Sequence, residues 1–402
     1  MRAARALDIK AGTYINDAAI LVEGERIKEV GRASDLLPRA PKDAQVIDLG
    51  SQTVLPGLID CHTHLMLRLS NEPNAYAVNL LTKSQAYRAL EGAADARATL
   101  EAGFTSVRDA ENEGSGYADV ALRDAINRGL VEGPRMQVAT RAIAAVGQYN
   151  PFGISPDLIN FPTGAQMISG TEEARRAVRE QIGQGADLIK VYADWEHPTL
   201  TVEEMRVIVE EAHKLGRKVA AHATTPEGIR NAVTAGVDSI EHGHGADRQD
   251  LEMMKAKGTY LVPTLSPIDA RVARTPPENI SPGLRHLLAD IDQAVRGAKE
   301  LGVIIADGSD AGSPSSHGRN AEELVSMTKR GLTPLESIRA ATLNASALMG
   351  WQDQIGTIEP GKYADIISVT GDPLSDVAVL RNVRFVMKAG KVVKSSISTL
   401  QH

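Results

Sequence analysis

The chain has 402 residues, 43% hydrophobic and 24% charged, an ordinary globular composition with room for one large core and an appended domain. A net charge of −7 with no dense Lys/Arg run argues against nucleic acid and anionic membrane as partners. The single cysteine, Cys61, excludes an intrachain disulfide framework and a cysteine-based zinc knuckle, and no apolar stretch approaches the ~20 residues that span a bilayer.

The start, MRAARALDIKAG, has basic residues but no apolar h-region, so no signal peptide is read there. The expected location is cytoplasmic, and a leader removed upstream of this chain would leave the same start. The first ~50 residues alternate short β-type runs with turns, as in AAILVEGERIKEVG. Strand-like runs then recur at 54–62, 105–109, 135–139, 187–192, 218–223, 238–242, 259–263 and 303–308. Helical patterns such as TEEARRAVREQIGQGA and TVEEMRVIVEEAHKLG lie between them; the second opens on a capping box, Thr201 with Glu204, and stops at Gly216. The C-terminal segments GTIEPGKYADIISVTG and VRFVMKAGKVVKS are again β-rich. This order predicts an α/β fold: a (β/α)8 TIM-like barrel over 56–349 and a small β-sandwich domain built from both termini, 1–55 with 350–402. An open doubly wound sheet is the alternative, but no Gly-x-Gly-x-x-Gly follows the first strand.

Barrel active sites lie at the C-terminal ends of the strands. His62 and His64 close the first predicted strand, and residues at i and i+2 share a face, so the two imidazoles can bind one ion together. Cys61 and Thr63 then point toward the helices. Lys190 lies on the inward face of the fourth strand, a costly place for a free ammonium. His222 and His242 end the fifth and sixth strands, and Asp310 follows the eighth. Four of the ten histidines thus gather at the ends of three strands. His197, His213, His286 and His402 read as structural.

The segments LPGLIDCHTH, IKVYA, AAHA, GVDSIEHG, GSDAG, NAEELVSMTKRGLTPLESIRAATLNASALMG and GTIEPGKYADI resemble the amidohydrolase superfamily, nearest its imidazolonepropionase-like and Xaa-Pro dipeptidase-like branch. The resemblance implies a binuclear centre of two divalent ions, usually zinc. His62, His64 and Asp310 would bind one ion, His222 and His242 the other, and Lys190 would bridge them as a carbamate. Imidazole and carboxylate ligands suit zinc, though cobalt or manganese also fit such a set. It further implies attack on an amide carbonyl by a metal-activated hydroxide, with Asp310 as general base returning the proton to the leaving amine. Asp307 is the rival carboxylate, but the inward pattern Ala306, Gly308, Asp310 turns it to the opposite face.

The chain departs from the family twice. Gly147-Gln148-Tyr149-Asn150 stands where many relatives read Gly-Gly-His-Gly, so Tyr149 becomes the candidate that holds the substrate carbonyl. His222-Ala223-Thr224 replaces a common His-Ala-His. The long segment 147–170 holds Tyr149, Phe152 and Phe161, and the fourth-strand loop adds Tyr192 and Trp195; these are read as the wall for an apolar or aromatic substrate group. The same long loop alternatively forms an oligomer contact, and a homo-oligomer is the expected assembly. Segment 265–283 is read as a second, mobile wall. Arg141, Arg271, Arg274 or Arg319 would hold a substrate carboxylate.

The leading expectation is an amide or peptide hydrolase, dipeptidase-like, carboxypeptidase-like or acting on N-acyl amino acids. A cyclic amide hydrolase or deaminase is the second enzyme class. Mononuclear deaminases of the superfamily carry a Glu where this chain has Thr225, which argues against that branch. A lactonase or phosphotriesterase would use the same ligands. A metal-free scaffold is the non-enzymatic alternative, set against six candidate ligands present.

Overall fold

The computed structural model describes residues 1–70, 72, 74–148, 157 and 162–396. In chain order the strands are β1 (Arg2–Asp8), β2 (Thr13–Glu23), β3 (Arg26–Arg32), β4 (Thr53–Pro56), β5 (Leu58–Thr63), β6 (Phe104–Asp109), β7 (Arg135–Val138) and β8 (Ala142–Ala145). They continue with β9 (Ala165–Ile168), β10 (Leu188–Tyr192), β11 (Lys218–Ala223), β12 (Ser239–His242), β13 (Tyr260–Val262), β14 (Ile366–Val369), β15 (Val383–Lys388) and β16 (Lys391–Ser395).

Strands from both ends of the chain share one sheet, ordered β16-β15-β14-β4-β1-β2-β3, antiparallel except where β1 meets β4. Successive residues of a strand face opposite sides, and here both sides are apolar. Ala6, Val54, Ile366 and Phe385 fill a core of the sheet's own. Their neighbours Leu7, Leu55, Ile367 and Val386 join Leu100 and Phe104 in the central core.

The run 54–62, expected as one strand, is two strands in different sheets. It breaks at Gly57, where a Cβ would lie 2.1 Å from Thr105 Oγ1, so only a residue without a side chain lets the chain pass between the sheets.

The remaining strands pair in parallel in two sheets, β5-β6-β7 and β13-β12-β11-β10-β8-β9. Asp187 N donates to Val138 O (2.8 Å) where β7 approaches the start of β10. At the other edges, isolated parallel bridges join Leu261 to Ile305 and Thr63 to Ala311. The expected strand 303–308 is thus reduced to a bridge residue, with Asp310 beyond it at φ 51°. The third expected strand, 135–139, is β7; beyond Thr140 (φ 61°) an additional strand, β8, follows, and β9 lies inside the segment read as loop. Helices separate most of the parallel strands, though none among the described residues lies between β7, β8 and β9. Val202–Lys214 buries Met205, Ile208, Val209 and Ala212, and its capping box, Thr201 with Glu204, is formed in both directions. Segment 265–283 contains the helix Ser266–Arg274 and a 3-10 turn, Pro277–Asn279. Among the described residues no helix is long and apolar enough to cross a membrane.

Candidate metal centre

The C-terminal end of β5 carries His62 and His64, both buried. Their Nε2 atoms are 3.2 Å apart, and Asp310 Oδ1 lies 3.2 Å from His64 Nε2 and 3.7 Å from His62 Nε2. Ligand atoms of these three residues all fall within 4.8 Å of one another. Asp310 is held there because Asp60, on β5, accepts from the backbone N–H of both His62 and Ser309 (3.0 Å each), and Asp310 N donates to His62 O (2.7 Å). Gly308 faces the same point: a Cβ there would lie 2.7 Å from that of His62.

The imidazoles continue as a contiguous set. His62 lies 5.1 Å from His242 by ring centroids, and His242 lies 4.5 Å from His222. Lys190 enters from β10, 1% exposed, with the charges of Glu241, Glu111 and Asp310 acting on it. The six residues expected as ligands therefore meet at one end of the parallel strands. Non-glycine residues with positive φ gather there too: Glu113, Thr140, His242, Thr264 and Asp310. Such backbone costs about 1 kcal/mol or more per residue and clusters at functional sites.

Several residues that the sequence did not single out orient this set. His62 Nδ1 donates to Glu241 Oε2 (2.6 Å); a carboxylate only accepts, so the lone pair of His62 is left on Nε2, facing His64. Glu241 Oε1 in turn accepts from Arg108 Nη2 (2.7 Å) and Ser239 Oγ (2.5 Å). His64 Nδ1 lies 2.8 Å from Glu113 Oε1, close but out of line for a good hydrogen bond. His242 Nδ1 is 2.7 Å from Thr264 Oγ1, and His222 Nε2 is 3.9 Å from Asp194. The sequence signal for Glu241 was its place beside His242. Strand alternation sends neighbours to opposite faces, but His242 has φ 70°, which turns its side chain back toward the ring set.

The electrostatics follow from burial and these partners. Burial and Lys190 hold His62 down to about 4 against the pull of Glu241. Burial also holds His222 and His242 well below the usual range, with Lys190 acting on the first and its neighbouring imidazoles on the second. For His64 burial is outweighed by Glu113 and Asp310, and its value is raised. Burial alone would raise Asp310, but His64, His62 and Lys190 outweigh it and set its value at about 2. Burial lowers Lys190. These donors suit a divalent cation: two imidazoles and a carboxylate, each with a ligand atom within 4.8 Å of the others, are the donor types that hold zinc.

Asp307, the rival carboxylate, stands outside this group. It is wholly buried, neither carboxylate oxygen has a partner among the described residues, and burial with Asp60 and Glu323 raises its value well above normal. Above the unfolded-chain value near 4 the unfolded state ionises first, so this group loses stability for the fold as pH rises. Asp307→Asn is expected to raise the thermal midpoint at pH 7, with the gain closing by about pH 4. A midpoint unchanged at every pH would refute the uncompensated carboxyl.

Of the expected substrate contacts, Tyr192 and Trp195 stack at 4.6 Å, and each lies beside His222, at 5.1 and 4.7 Å. The Tyr192 hydroxyl donates to Glu111. Arg141 Nη2 donates to Ala165 O (2.7 Å) and Thr163 Oγ1 (3.5 Å). Arg319 pairs with Glu322, and Arg271 and Arg274 sit on the helix Ser266–Arg274. Tyr149, Phe152 and Phe161 lie outside the described residues.

Comparison with known proteins identifies the family. The sequence pattern of the amidohydrolase family matches residues 53–393. The chain is 33% identical to ochratoxinase of Aspergillus niger, over 95% of this chain and 84% of that protein, and 28% identical to imidazolonepropionase of Pyrobaculum arsenaticum, over 88% and 86%. Among solved structures, a Xaa-Pro dipeptidase with methionine bound in its active site superposes with a TM-score of 0.84 at 32% identity, over 97% of this chain and 98% of that one. The structure of Aspergillus niger ochratoxinase gives 0.84 at 31%, over 98% and 95%. The chain belongs to the amidohydrolase family, hydrolases of carbon–nitrogen bonds.

Proposed function

We propose that this protein is a binuclear metal-dependent hydrolase of an amide or peptide bond, acting on an N-acyl amino acid or dipeptide-like substrate with an apolar or aromatic group. The observation that carries this reading is the convergence of the His62 and His64 Nε2 atoms with Asp310 Oδ1, while His62 Nδ1 is tied to Glu241. His62, His64 and Asp310 would hold one zinc ion and His222 and His242 the other, with a carbamate on Lys190 between them. Carbamylation turns a costly buried cation into an anionic ligand, and burial shifts Lys190 toward the neutral amine that the reaction with carbon dioxide needs. When bound, the ions supply Lewis acidity and an activated water.

The chain's own residues do the rest. Asp310 takes the proton as the carbonyl is attacked and returns it to the leaving nitrogen. Tyr192 and Trp195 offer an aromatic wall beside His222 for the apolar group. We assign Tyr149 to the substrate carbonyl and Phe152 and Phe161 to the same wall on their sequence positions. The parallel sheets and their bridging contacts at Val138, Ile305 and Ala311 support one closed (β/α)8 barrel over 56–349. The sheet built from both ends supports an appended β-sandwich from 1–55 with 350–402.

The deaminase reading is disfavoured by Thr225. Its hydroxyl caps the helix Pro226–Ala235 and hydrogen-bonds Asp194 (2.6 Å), a structural position with no proton-transfer group. Two measurements test the proposal. Protein grown with zinc should approach two ions per chain, and Lys190→Ala should lower that content. A screen of dipeptides and N-acyl amino acids, with cyclic amides, lactones and phosphotriesters as controls, should find its best turnover among the first two classes. Metal-free active protein, or turnover confined to the controls, refutes it.

A further inference from the structure

A fifth imidazole stands beside the proposed ligands and belongs to neither ion in the assignment above. His244 lies two residues beyond His242, with its ring 5.6 Å from that of His242 at an interplanar angle of 63°. The His242 ring it meets lies 5.1 Å from that of His62, whose Nε2 is 3.7 Å from Asp310 Oδ1, so His244 borders the same set of rings as the proposed proton carrier. Its Nε2 is 3.2 Å from Pro263 O. A backbone carbonyl only accepts, so Nε2 carries the proton in that contact and the acceptor lone pair falls on Nδ1. Nδ1 has no protein partner among the described residues, and the half-buried side chain leaves it open.

The loop that carries His244 is fixed. Gly243 has φ 60° and its N–H donates to Ala223 O (3.0 Å), while Gly245 N donates to Thr224 O (3.0 Å). A Cβ at Gly245 would lie 2.5 Å from that same Thr224 oxygen, so the turn is pressed against the end of β11. An acceptor held this firmly loses little freedom on binding and is set for one donor direction.

We propose that His244 is a specificity-determining residue whose Nδ1 accepts the N–H of the scissile amide, so that the site selects secondary amides over esters and tertiary amides. This deepens the amide-hydrolase reading and rests on it. With its N–H held by His244, the amide nitrogen keeps its remaining face, where the lone pair develops, turned toward Asp310. The lone pair there is then placed to receive the returning proton.

The test uses the zinc-loaded enzyme and two inert ligands of one shape, a phosphonamidate and the matching phosphonate ester, which differ by a single N–H. The native protein should bind the phosphonamidate about tenfold tighter, the worth of one well-made hydrogen bond. His244→Phe should bring the two within about twofold with zinc content unchanged, whereas His244→Gln, which keeps an acceptor oxygen, should restore part of the preference. In turnover, His244→Phe should lower kcat/KM on an N-acyl amino acid about tenfold more than on its ester counterpart. A preference that survives His244→Phe, or equal losses on both ligands, overturns the assignment. If the native enzyme cleaves no amide yet the His244-dependent preference remains, the proposed function fails and the contact stands. If amides are cleaved and the preference ignores His244, the contact alone fails.

Discussion

Asp310→Asn is expected to lower kcat by about 10²–10⁴-fold while the fold survives, the range for loss of a positioned proton-transfer group. The native carboxylate is ionised throughout the neutral range, because His64, His62 and Lys190 outweigh its burial and hold it at about 2. The amide cannot accept a proton at that point. The backbone tolerates the exchange, since Asp310 has φ 51° and asparagine is among the few residues at ease there. Zinc content measured beside kcat separates the two duties of this residue. Lost turnover with retained metal identifies the proton carrier, and lost turnover with lost metal identifies the ligand. Native turnover in the variant would overturn the assignment.

Arg108→Met is expected to cost about 3–5 kcal/mol of unfolding free energy, the scale for stripping one partner from a buried ion pair. Arg108 is 2% exposed and Glu241 0%, and the guanidinium also donates to Cys61 O (2.5 Å) and Ser239 Oγ (3.2 Å). Burial would raise the Glu241 carboxyl, but Arg108 first and then His62 hold it well below its ordinary value. In the native protein that stabilising contribution is present above the unfolded carboxylate range and is lost toward acid. Without Arg108 the charge is stranded, so the deficit should be largest near neutral pH and shrink below about pH 4 as Glu241 is protonated. Urea unfolding across pH checks this. A loss under about 1 kcal/mol at pH 7 would mean that water or a shifted side chain replaces the guanidinium.

The sequence was most legible where chemistry and period coincide. His62 and His64 come together because they are two apart at the end of β5, and Thr201 with Glu204 forms a capping box because that motif is local. What it hid is non-local or set by the backbone. Arg108 and Glu241 lie 133 positions apart on strands that are not neighbours in a sheet, so no periodicity pairs them. Asp310 and His242 were legible as residues, but not the positive φ at which each meets the ring set. The eighth strand shrinks to a bridge at Ile305, because the chain leaves extended geometry to deliver Asp310.

The two-faced sheet at the chain ends has a consequence for how the molecule comes apart. Leu55, Ile367 and Val386 sit in the same core as Leu100 and Phe104, and β4 passes into the histidine-bearing β5 across the single residue Gly57. Peeling the sheet away would expose the back of the parallel strands and pull directly on His62. The end sheet and the parallel strands are therefore expected to unfold together, so that no transition in which the end sheet alone melts should separate from loss of the histidine set.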